Sequence, residues 1–153
     1  MSRPSGAAYS YRQDDAVPAF VDDRPLLVFD GLCVLCSNGA QRVLRLDRRG
    51  LFRFAPAQSA LGRALYRHYG MDESGDETVL LIQDGRLFVK SEVAIRVGQG
   101  LGGIWRAAVL LHVLPLGLRD AMYDWLARRR FRLFGRREVC FAPKPGWAER
   151  FLA

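Results

Sequence analysis

The stretch LLVFDGLCVLC, Leu26 to Cys36, decides the fold. Leu26 to Phe29 is a short apolar run of the kind that forms a strand buried on both faces. Asp30-Gly31 is a turn signal that ends the run. From Val34 onward, apolar residues recur at helical spacing, with arginines on the opposite side. The stretch therefore predicts a strand, a tight turn and a helix in direct succession.

Two cysteines lie at the predicted start of this helix. Cys33 falls at or just before the first turn, where unpaired backbone N–H groups and the positive end of the helix dipole favour a thiolate. Cys36 lies one turn further along the same helix, so a disulfide can form and break with little backbone motion. The pattern favours thiol-disulfide exchange, in which the outer sulfur of Cys33 attacks and the inner sulfur of Cys36 resolves.

Other interpretations of the cysteine pair stay open. A structural zinc site needs further ligands, and Cys140, His68 and His112 are scattered along the chain. The cysteines could also be incidental core residues. A phosphoryl-accepting role for Asp30 would require a second carboxylate two residues later, where the chain has leucine. We expect neither a metal nor a bound cofactor, His68 at a partly exposed rim, and His112 in or at the edge of the core.

The rest of the chain supplies the elements that a small α/β domain needs. The expected elements are a strand at 51–55, a helix opened by Gln58-Ser59 and ended by Gly70, a hairpin of Thr78–Gln83 with Arg86–Val89 around Asp84-Gly85, and a helix from Ser91 to Leu101. The predicted order is β-α-β-α-β-β-α. This order is the minimal thioredoxin-like layout, an α/β fold with helices on both sides of one sheet.

Length and composition predict one domain. The chain has 153 residues, half of them hydrophobic. We expect residues 1–24 to be a flexible tail, 25–103 the thioredoxin-like core, and 104–153 a helical C-terminal extension of the same domain. Within the extension, Ile104–Leu114 is predicted to be a buried helix, since it is too short and too interrupted to span a membrane. A further helix is predicted over Leu118–Arg130, with Phe131, Leu133 and Phe134 as an apolar anchor after it.

Charge and cysteine content indicate which partners and which cellular location to expect. The formal net charge is +7, and seven of the arginines lie between positions 119 and 137. We expect a solvated helix face there, and no specific nucleic-acid binding, because no nucleic-acid motif accompanies the charge. Three cysteines, with no apolar segment near the N-terminus, favour a reducing, cytoplasmic location.

The motif Asp30-Gly31-x-Cys33-x-x-Cys36 resembles the signature of the DCC family of thiol-disulfide oxidoreductases. Further matches over residues 25–143 are Phe54–Ser59, Leu61-Gly62, Lys90-Ser91, Ala94, Tyr123, Arg132–Gly135 and Cys140. The resemblance implies a thioredoxin-like domain with Cys33 and Cys36 as the redox pair and Asp30 as a motif residue. It also implies supporting places for Gly31 and for Thr78, which stands where redox-active members of the thioredoxin-like superfamily generally have a cis-proline.

These observations predict a thiol-disulfide oxidoreductase. Its Cys33-Cys36 dithiol would exchange with the disulfide of a protein or small molecule, and its reductant is unknown. Asp30 would either relay the proton of Cys36 or cap the helix, and Cys140 is a candidate third redox sulfur. The alternative is a non-catalytic thioredoxin-like binding module whose basic C-terminal helix engages an acidic partner.

Overall fold

The computed structural model describes residues 8–71, 79–89, 91–136 and 145–152. Its strands are β1 (Leu26–Phe29), β2 (Arg53–Pro56), β3 (Leu80–Gln83) and β4 (Arg86–Val89). Its α-helices are α1 (Val34–Leu46), α2 (Ala60–His68), α3 (Ser91–Leu101) and α4 (Leu116–Phe134). Three 3-10 helices cover Ser10–Gln13, Gly103–Val113 and Pro145–Arg150 of the described residues.

The four strands form one mixed sheet in the order β2-β1-β3-β4. β1 pairs in parallel with β2 and antiparallel with β3, and β4 returns antiparallel to β3. Val28, in the middle of β1, lies opposite Ala55 on one side and Leu80 on the other. The predicted β-α-β-α-β-β-α order is confirmed, and the mixed α/β architecture is compatible with a thioredoxin-like fold.

Alternate residues of β1 enter two separate cores, because successive side chains of a strand point to opposite faces. Leu26 and Val28 belong to a buried cluster with Leu61 and Leu65 of α2. On the other face, Leu27 and Phe29 belong to a cluster that also holds Ala40 and Leu44 of α1 and Val93 and Val97 of α3. The sheet is therefore covered on both faces, and the carboxyl end of β1 emerges between the layers.

Local sequence signals explain the element boundaries. Ser59 is the N-cap of α2, and its hydroxyl accepts a hydrogen bond from the N–H of Gly62 at 3.0 Å. The β3–β4 hairpin turns through Asp84 and Gly85, whose φ angles are 52° and 73°. Asparagine, aspartate and glycine tolerate this left-handed region best, so the Asp-Gly pair suits the turn.

The segment that the sequence predicted to be a buried helix lies on the surface. Residues Gly103–Val113 form a 3-10 helix without a buried residue, and Ile104 and Val113 are 84% and 82% exposed. This segment contacts α3 through the backbone of Trp105 and the small side chain of Ala108. The approach at Gly98 is close, because a Cβ there would come within 2.5 Å of the Trp105 carbonyl oxygen and 2.7 Å of the Ala108 Cβ. The large side chains are therefore left pointing outward. No helix among the described residues is both long and apolar enough to cross a membrane.

Helix α4 is longer than predicted, and it buries and exposes the opposite kinds of side chain from those predicted. Its buried residues are Arg119 and Arg130, which the sequence placed on a solvated face. Leu133 and Phe134, predicted to anchor the helix, are 56% and 47% exposed. The physical reason is charge pairing: Arg119 Nη1 lies 3.3 Å from Glu92 Oε1, and Arg130 reaches the end of β1.

Residues 8–24 pack against the core. Tyr11 is buried in the cluster on the α2 side of the sheet, and its hydroxyl donates to Asp22 Oδ2 at 2.9 Å. His68, at the end of α2, lies 2.7 Å from Asp14 Oδ2 and 2.8 Å from Ser10 Oγ. The division of the chain into a tail, a core and an extension stays a prediction.

Candidate active site

The two cysteines lie where the sequence predicted, at the start of α1. Cys33 is the N-cap, with extended backbone (φ −83°, ψ 122°), and its sulfur accepts a hydrogen bond from the N–H of Cys36 at 3.3 Å. Cys36 lies in the first turn, and both thiols are free. A sulfur thus occupies the position where a capping oxygen usually satisfies one of the free N–H groups of a helix.

The exposure of the two thiols is the reverse of the prediction. Cys33, expected to be the outer sulfur, is fully buried, whereas Cys36 is partly exposed. The chain that follows α4 lies against Cys33. Arg136 forms an isolated antiparallel bridge with Cys33, and the N–H of Val34 donates to the Gly135 carbonyl at 3.5 Å. We call Gly135-Arg136 the cover segment.

Asp30 ends β1 beside this pair and is buried. Its Oδ1 accepts the N–H of Leu32 at 2.9 Å and the side-chain amide of Gln58 at 2.7 Å. The carboxylate therefore shapes the turn between β1 and α1. The expectation that Asp30 caps the helix is wrong, because Cys33 is the cap and the bond from Leu32 closes the turn before it.

Gly31 links the turn to both neighbouring helices. Its N–H donates to Gln58 Oε1 at 3.0 Å, and its carbonyl accepts the Ser37 hydroxyl at 3.2 Å. Gln58 follows β2 at the edge of the sheet where β1 also ends, since the two strands are parallel. The side chain of Gln58, between β2 and α2, thus contacts both Asp30 and Gly31 in the turn between β1 and α1.

Arg130 of α4 reaches the same place from the far end of the chain. Its Nη2 lies 3.4 Å from Asp30 Oδ2, and its Nη1 lies 4.0 Å from Cys36 Sγ. The side chain is 3% exposed, so the charge acts on its neighbours with little screening by water. A buried guanidinium therefore lies between the motif carboxylate and a motif thiol.

The pKa values of the two thiols move in opposite directions. A hydrogen bond from the Cys36 thiol, assisted by the Cys36 N–H and the charge of Arg130, lowers the pKa of Cys33 to about 6 against the effect of burial. The same hydrogen bond, with burial, raises the pKa of Cys36. These shifts favour a thiolate at Cys33 over one at Cys36.

Arg130, Gln58 and Ser37 were not recognised as site residues from the sequence. Gln58 could have been found, because it follows a strand predicted to run parallel to β1, and such strands end at one edge. For Arg130 there is no local signal, since it lies 100 residues from Asp30 within a run of arginines. Thr78 and Cys140 lie outside the described residues, so their roles stay predictions.

The two histidines lie away from the cysteine pair. His68 binds the N-terminal segment, and His112, predicted in or beside the core, is exposed, with Nε2 3.3 Å from Glu92 Oε1. Within the described ranges, no three His, Cys, Asp or Glu side chains are grouped as metal ligands.

The chain is similar to a set of known proteins that share the motif region. A family model described as DCC1-like thiol-disulfide oxidoreductase matches residues 27–136. The uncharacterized protein YuxK of Bacillus subtilis is 35% identical over 127 residues, covering 83% of this chain and 93% of YuxK. A chloroplastic DCC family protein of Arabidopsis thaliana is 32% identical over 120 residues, covering 78% and 70%. No solved structure matches the chain. The chain belongs to the DCC1-like thiol-disulfide oxidoreductase family.

Proposed function

We propose that this protein exchanges a Cys33-Cys36 dithiol with the disulfide of a protein or small-molecule substrate. The observation that supports this most directly is the sulfur of Cys33 at the N-cap of α1, with its pKa lowered to about 6. A thiolate present at neutral pH is the nucleophile that disulfide exchange requires. The family assignment supports the same class of reaction.

The exchange proceeds in two balanced steps. The Cys33 thiolate attacks one substrate sulfur, the substrate S–S bond breaks, and the leaving thiolate takes a proton from water. Cys36 then gives up its proton to water and attacks the Cys33 sulfur, so the mixed disulfide breaks and the second substrate thiolate leaves and takes up a proton. The substrate is reduced by two electrons, the cysteine pair is oxidised to a disulfide, and a dithiol reductant restores it.

Cys36 is suited to the second step. Its raised pKa keeps it protonated while the Cys33 thiolate attacks, so the two sulfurs do not compete. Arg130, 4.0 Å from its sulfur, stabilises the thiolate that forms when the mixed disulfide is resolved. Asp30 holds Arg130 in place and shapes the turn.

We assign supporting roles to Gly31 and Thr78, and we infer a reducing, cytoplasmic location from the cysteine content.

Cys33 is covered, so attack requires movement of the cover segment. Among the described residues, that segment is held to the start of α1 by the Cys33–Arg136 bridge, whose hydrogen bond from the Val34 N–H to the Gly135 carbonyl is 3.5 Å, a long distance for an N–H···O contact. Cys33 is also bordered by polar groups, namely Arg130, Asp30 and the N–H of Cys36. The thiol is therefore placed at a polar site beneath a removable cover, and not in an apolar interior.

Reaction with an aromatic disulfide that releases a coloured thiolate tests the proposal. With Cys140 replaced by serine, the reduced protein should react with dithiobis(nitrobenzoate) to release two aryl thiolates per chain and form the Cys33-Cys36 disulfide. Cys36→Ser should release one and keep the other as a mixed disulfide on Cys33, detectable by mass. Cys33→Ser should react more slowly near pH 7, because burial still raises the pKa of the remaining Cys36 thiol, although the hydrogen bond to the Cys33 sulfur is lost.

Two results would contradict the exchange mechanism. One is release of a single aryl thiolate by the reduced protein without formation of an internal disulfide. The other is equal reactivity of Cys33→Ser and Cys36→Ser at pH 7. Thermal unfolding of each variant, compared with the parent, shows that the fold is retained.

A further inference from the structure

Helix α4 has two faces of unusual character. Its inward face carries Arg119, Tyr123 and Arg130, which contact Glu92, the N–H of Val79 and the cysteine site. The outward face carries a stripe at helical spacing, Leu118, Met122, Trp125, Leu126 and Leu133, each between 36% and 58% exposed. Charge is buried and apolar surface faces outward, the reverse of an ordinary surface helix.

The preceding 3-10 helix carries further exposed apolar side chains. Among the described residues, every exposed large apolar side chain except Val21 lies between Ile104 and Phe134. Glu92 contacts both His112 and Arg119, so the end of the 3-10 helix meets the start of α4. We call the following set the apolar surface: Ile104, Trp105, Val109, Leu110, Leu111, Val113, Leu116, Leu118, Met122, Trp125, Leu126, Leu133 and Phe134. Single exposed apolar residues are common, but such a concentration in one part of a chain indicates a binding surface.

The charge beside this surface is strongly positive. Residues 103–136 contain seven arginines, of which Arg119 and Arg130 are buried in ion pairs, and, as acidic residues, only Asp120 and Asp124. Asp120 accepts the hydroxyl of Ser91 at 2.8 Å, so it faces α3. Arg128, Arg129 and Arg132 are exposed and adjoin the stripe, and the guanidinium of Arg129 lies 4.8 Å from the Trp125 ring centroid.

An anionic lipid surface fits both properties at once. A second copy of the chain is disfavoured, because a two-fold interface here would place arginine-rich faces against each other. An acidic protein would satisfy the arginines but would also need an apolar counterpart to this broad set of side chains. A bilayer supplies anionic headgroups beside an apolar interior, and tryptophan, leucine and arginine are the residues that interfacial helices use.

We propose that the apolar surface docks on an anionic membrane, with α4 lying in the plane of the interface. The apolar side chains enter the boundary between headgroups and acyl chains, and the exposed arginines bind headgroup phosphates. Docking leaves the inward face of α4 on the cysteine site. This inference stands independently of disulfide exchange.

Vesicle binding by the full chain tests the proposal. We expect co-sedimentation with vesicles of phosphatidylcholine and phosphatidylglycerol, a blue shift of tryptophan fluorescence, and weaker binding as salt is raised. Vesicles of phosphatidylcholine alone should bind at least tenfold more weakly. Met122→Ser/Trp125→Ser should reduce affinity about tenfold or more, since both side chains would be buried in the bound state. Arg128→Gln/Arg132→Gln should reduce it several-fold.

Val21→Ser is the matched control. Val21 is 60% exposed and lies outside the apolar surface, so its replacement should leave vesicle binding unchanged. The proposal is overturned by absence of binding to anionic vesicles, or by equal binding of Met122→Ser/Trp125→Ser. Self-association that this double variant abolishes, seen by sedimentation without lipid, would also overturn it by assigning the surface to a second copy. Far-UV circular dichroism verifies the fold of each variant.

Discussion

Arg130 lies between Asp30 and Cys36, with its two terminal nitrogens 3.4 Å from the carboxylate oxygen and 4.0 Å from the sulfur. The carboxylate fixes the guanidinium, and the guanidinium favours thiolate over thiol at both cysteines. The motif aspartate thus acts on the sulfurs in two ways: directly through its own charge, which favours the thiol, and through an arginine from the opposite end of the chain. Removing either charged partner should affect both the fold and the chemistry.

Replacement of Arg130 should raise the pKa of Cys33. In Arg130→Met, the midpoint of the rate of alkylation against pH should rise above about 6 and stay below the free-thiol value of about 8.5, since the Cys36 hydrogen bond remains. Arg130→Lys, which keeps the charge, should give a smaller rise. Arg128→Met is the matched control, because Arg128 is exposed on the same helix and donates to the Asp124 carbonyl. A midpoint unchanged in Arg130→Met would refute this role.

The Cys36 thiol should lower the pKa of Cys33 more than Arg130 does. Cys36→Ala removes the hydrogen-bond donor that most lowers the pKa of Cys33, so its alkylation midpoint should exceed that of Arg130→Met. Cys36→Ser keeps a hydroxyl donor and should give a midpoint between those of Cys36→Ala and the parent. Alkylation of the single remaining motif thiol, followed by mass against pH, measures both. Equal midpoints in the alanine and serine variants would rule out the side-chain hydrogen bond as the main cause.

Loosening the cover segment should change the rate at which Cys33 reacts without changing its pKa. Gly135 has φ 88° and ψ 176°, a backbone conformation that is essentially restricted to glycine. Gly135→Ala should strain this residue by about 1–3 kcal/mol and displace the cover, so the alkylation rate at high pH should rise several-fold. Gly117→Ala, in the first turn of α4 with no atom within 4 Å of the added carbon, should behave as the parent. An unchanged plateau rate in Gly135→Ala would show that the cover does not limit access.

Stability should depend on pH through the cysteine pair. The folded pKa of Cys33, about 6, lies below the unfolded value of about 8.5, so between these values the unfolded chain binds more protons and stability rises with pH. The gain from this thiolate amounts to at most about 3 kcal/mol and is lost as pH falls through 6. Above about pH 8.5 the slope reverses, because the raised pKa of Cys36 then leaves the folded state with the extra proton.

Urea unfolding of the reduced protein from pH 5.5 to pH 9.5 measures this dependence. The difference in unfolding free energy between the parent and Cys33→Ser should be largest near pH 8.5 and smallest below pH 6. A difference that stays constant over the whole range would contradict an ionised Cys33 in the folded protein.

The Asp30–Arg130 pair should show strong coupling. Asp30→Asn keeps an oxygen that accepts the Leu32 N–H but leaves the Arg130 charge buried without its carboxylate, so it should destabilise the fold by about 3 kcal/mol. Arg130→Met leaves the carboxylate buried and should cost a similar amount. The double variant should be more stable than the sum of the two losses predicts. Additive losses in urea unfolding would mean that the two charges do not interact.

Local signals in the sequence were sufficient for the order of elements and for the position of the cysteines. Short apolar runs, the Asp84-Gly85 turn and the Ser59 cap each act over a few residues. The turn and the cap are in the predicted places, and the second strand, predicted at 51–55, is at Arg53–Pro56. The complete site could not be predicted from such local signals, because it depends on contacts between residues that are far apart in the sequence. Gln58 lies 27 residues from Gly31, and Arg130 lies 94 residues from Cys36.

The orientation of the C-terminal helices could not be read from periodicity. Apolar spacing shows that a helix has an apolar face but not what that face meets. In α4 the inward side was decided by two ion pairs, of Arg119 with Glu92 and of Arg130 with Asp30. In Gly103–Val113 it was decided by a close backbone approach at Gly98. For the same reason the sequence assigned the outer position to Cys33, which the bridge to Arg136 covers.

The separation of 100 residues between Asp30 and Arg130 also matters during biosynthesis. A nascent chain presents its cysteine motif early, when most of the polypeptide that will flank it has not left the ribosome. Until α4 is synthesised, the pair lacks its guanidinium and its cover segment, and only the local hydrogen bonds from Cys36 lower the pKa of Cys33. The last third of the translated message thus supplies the protection, and part of the activation, of sulfurs that the first third encodes.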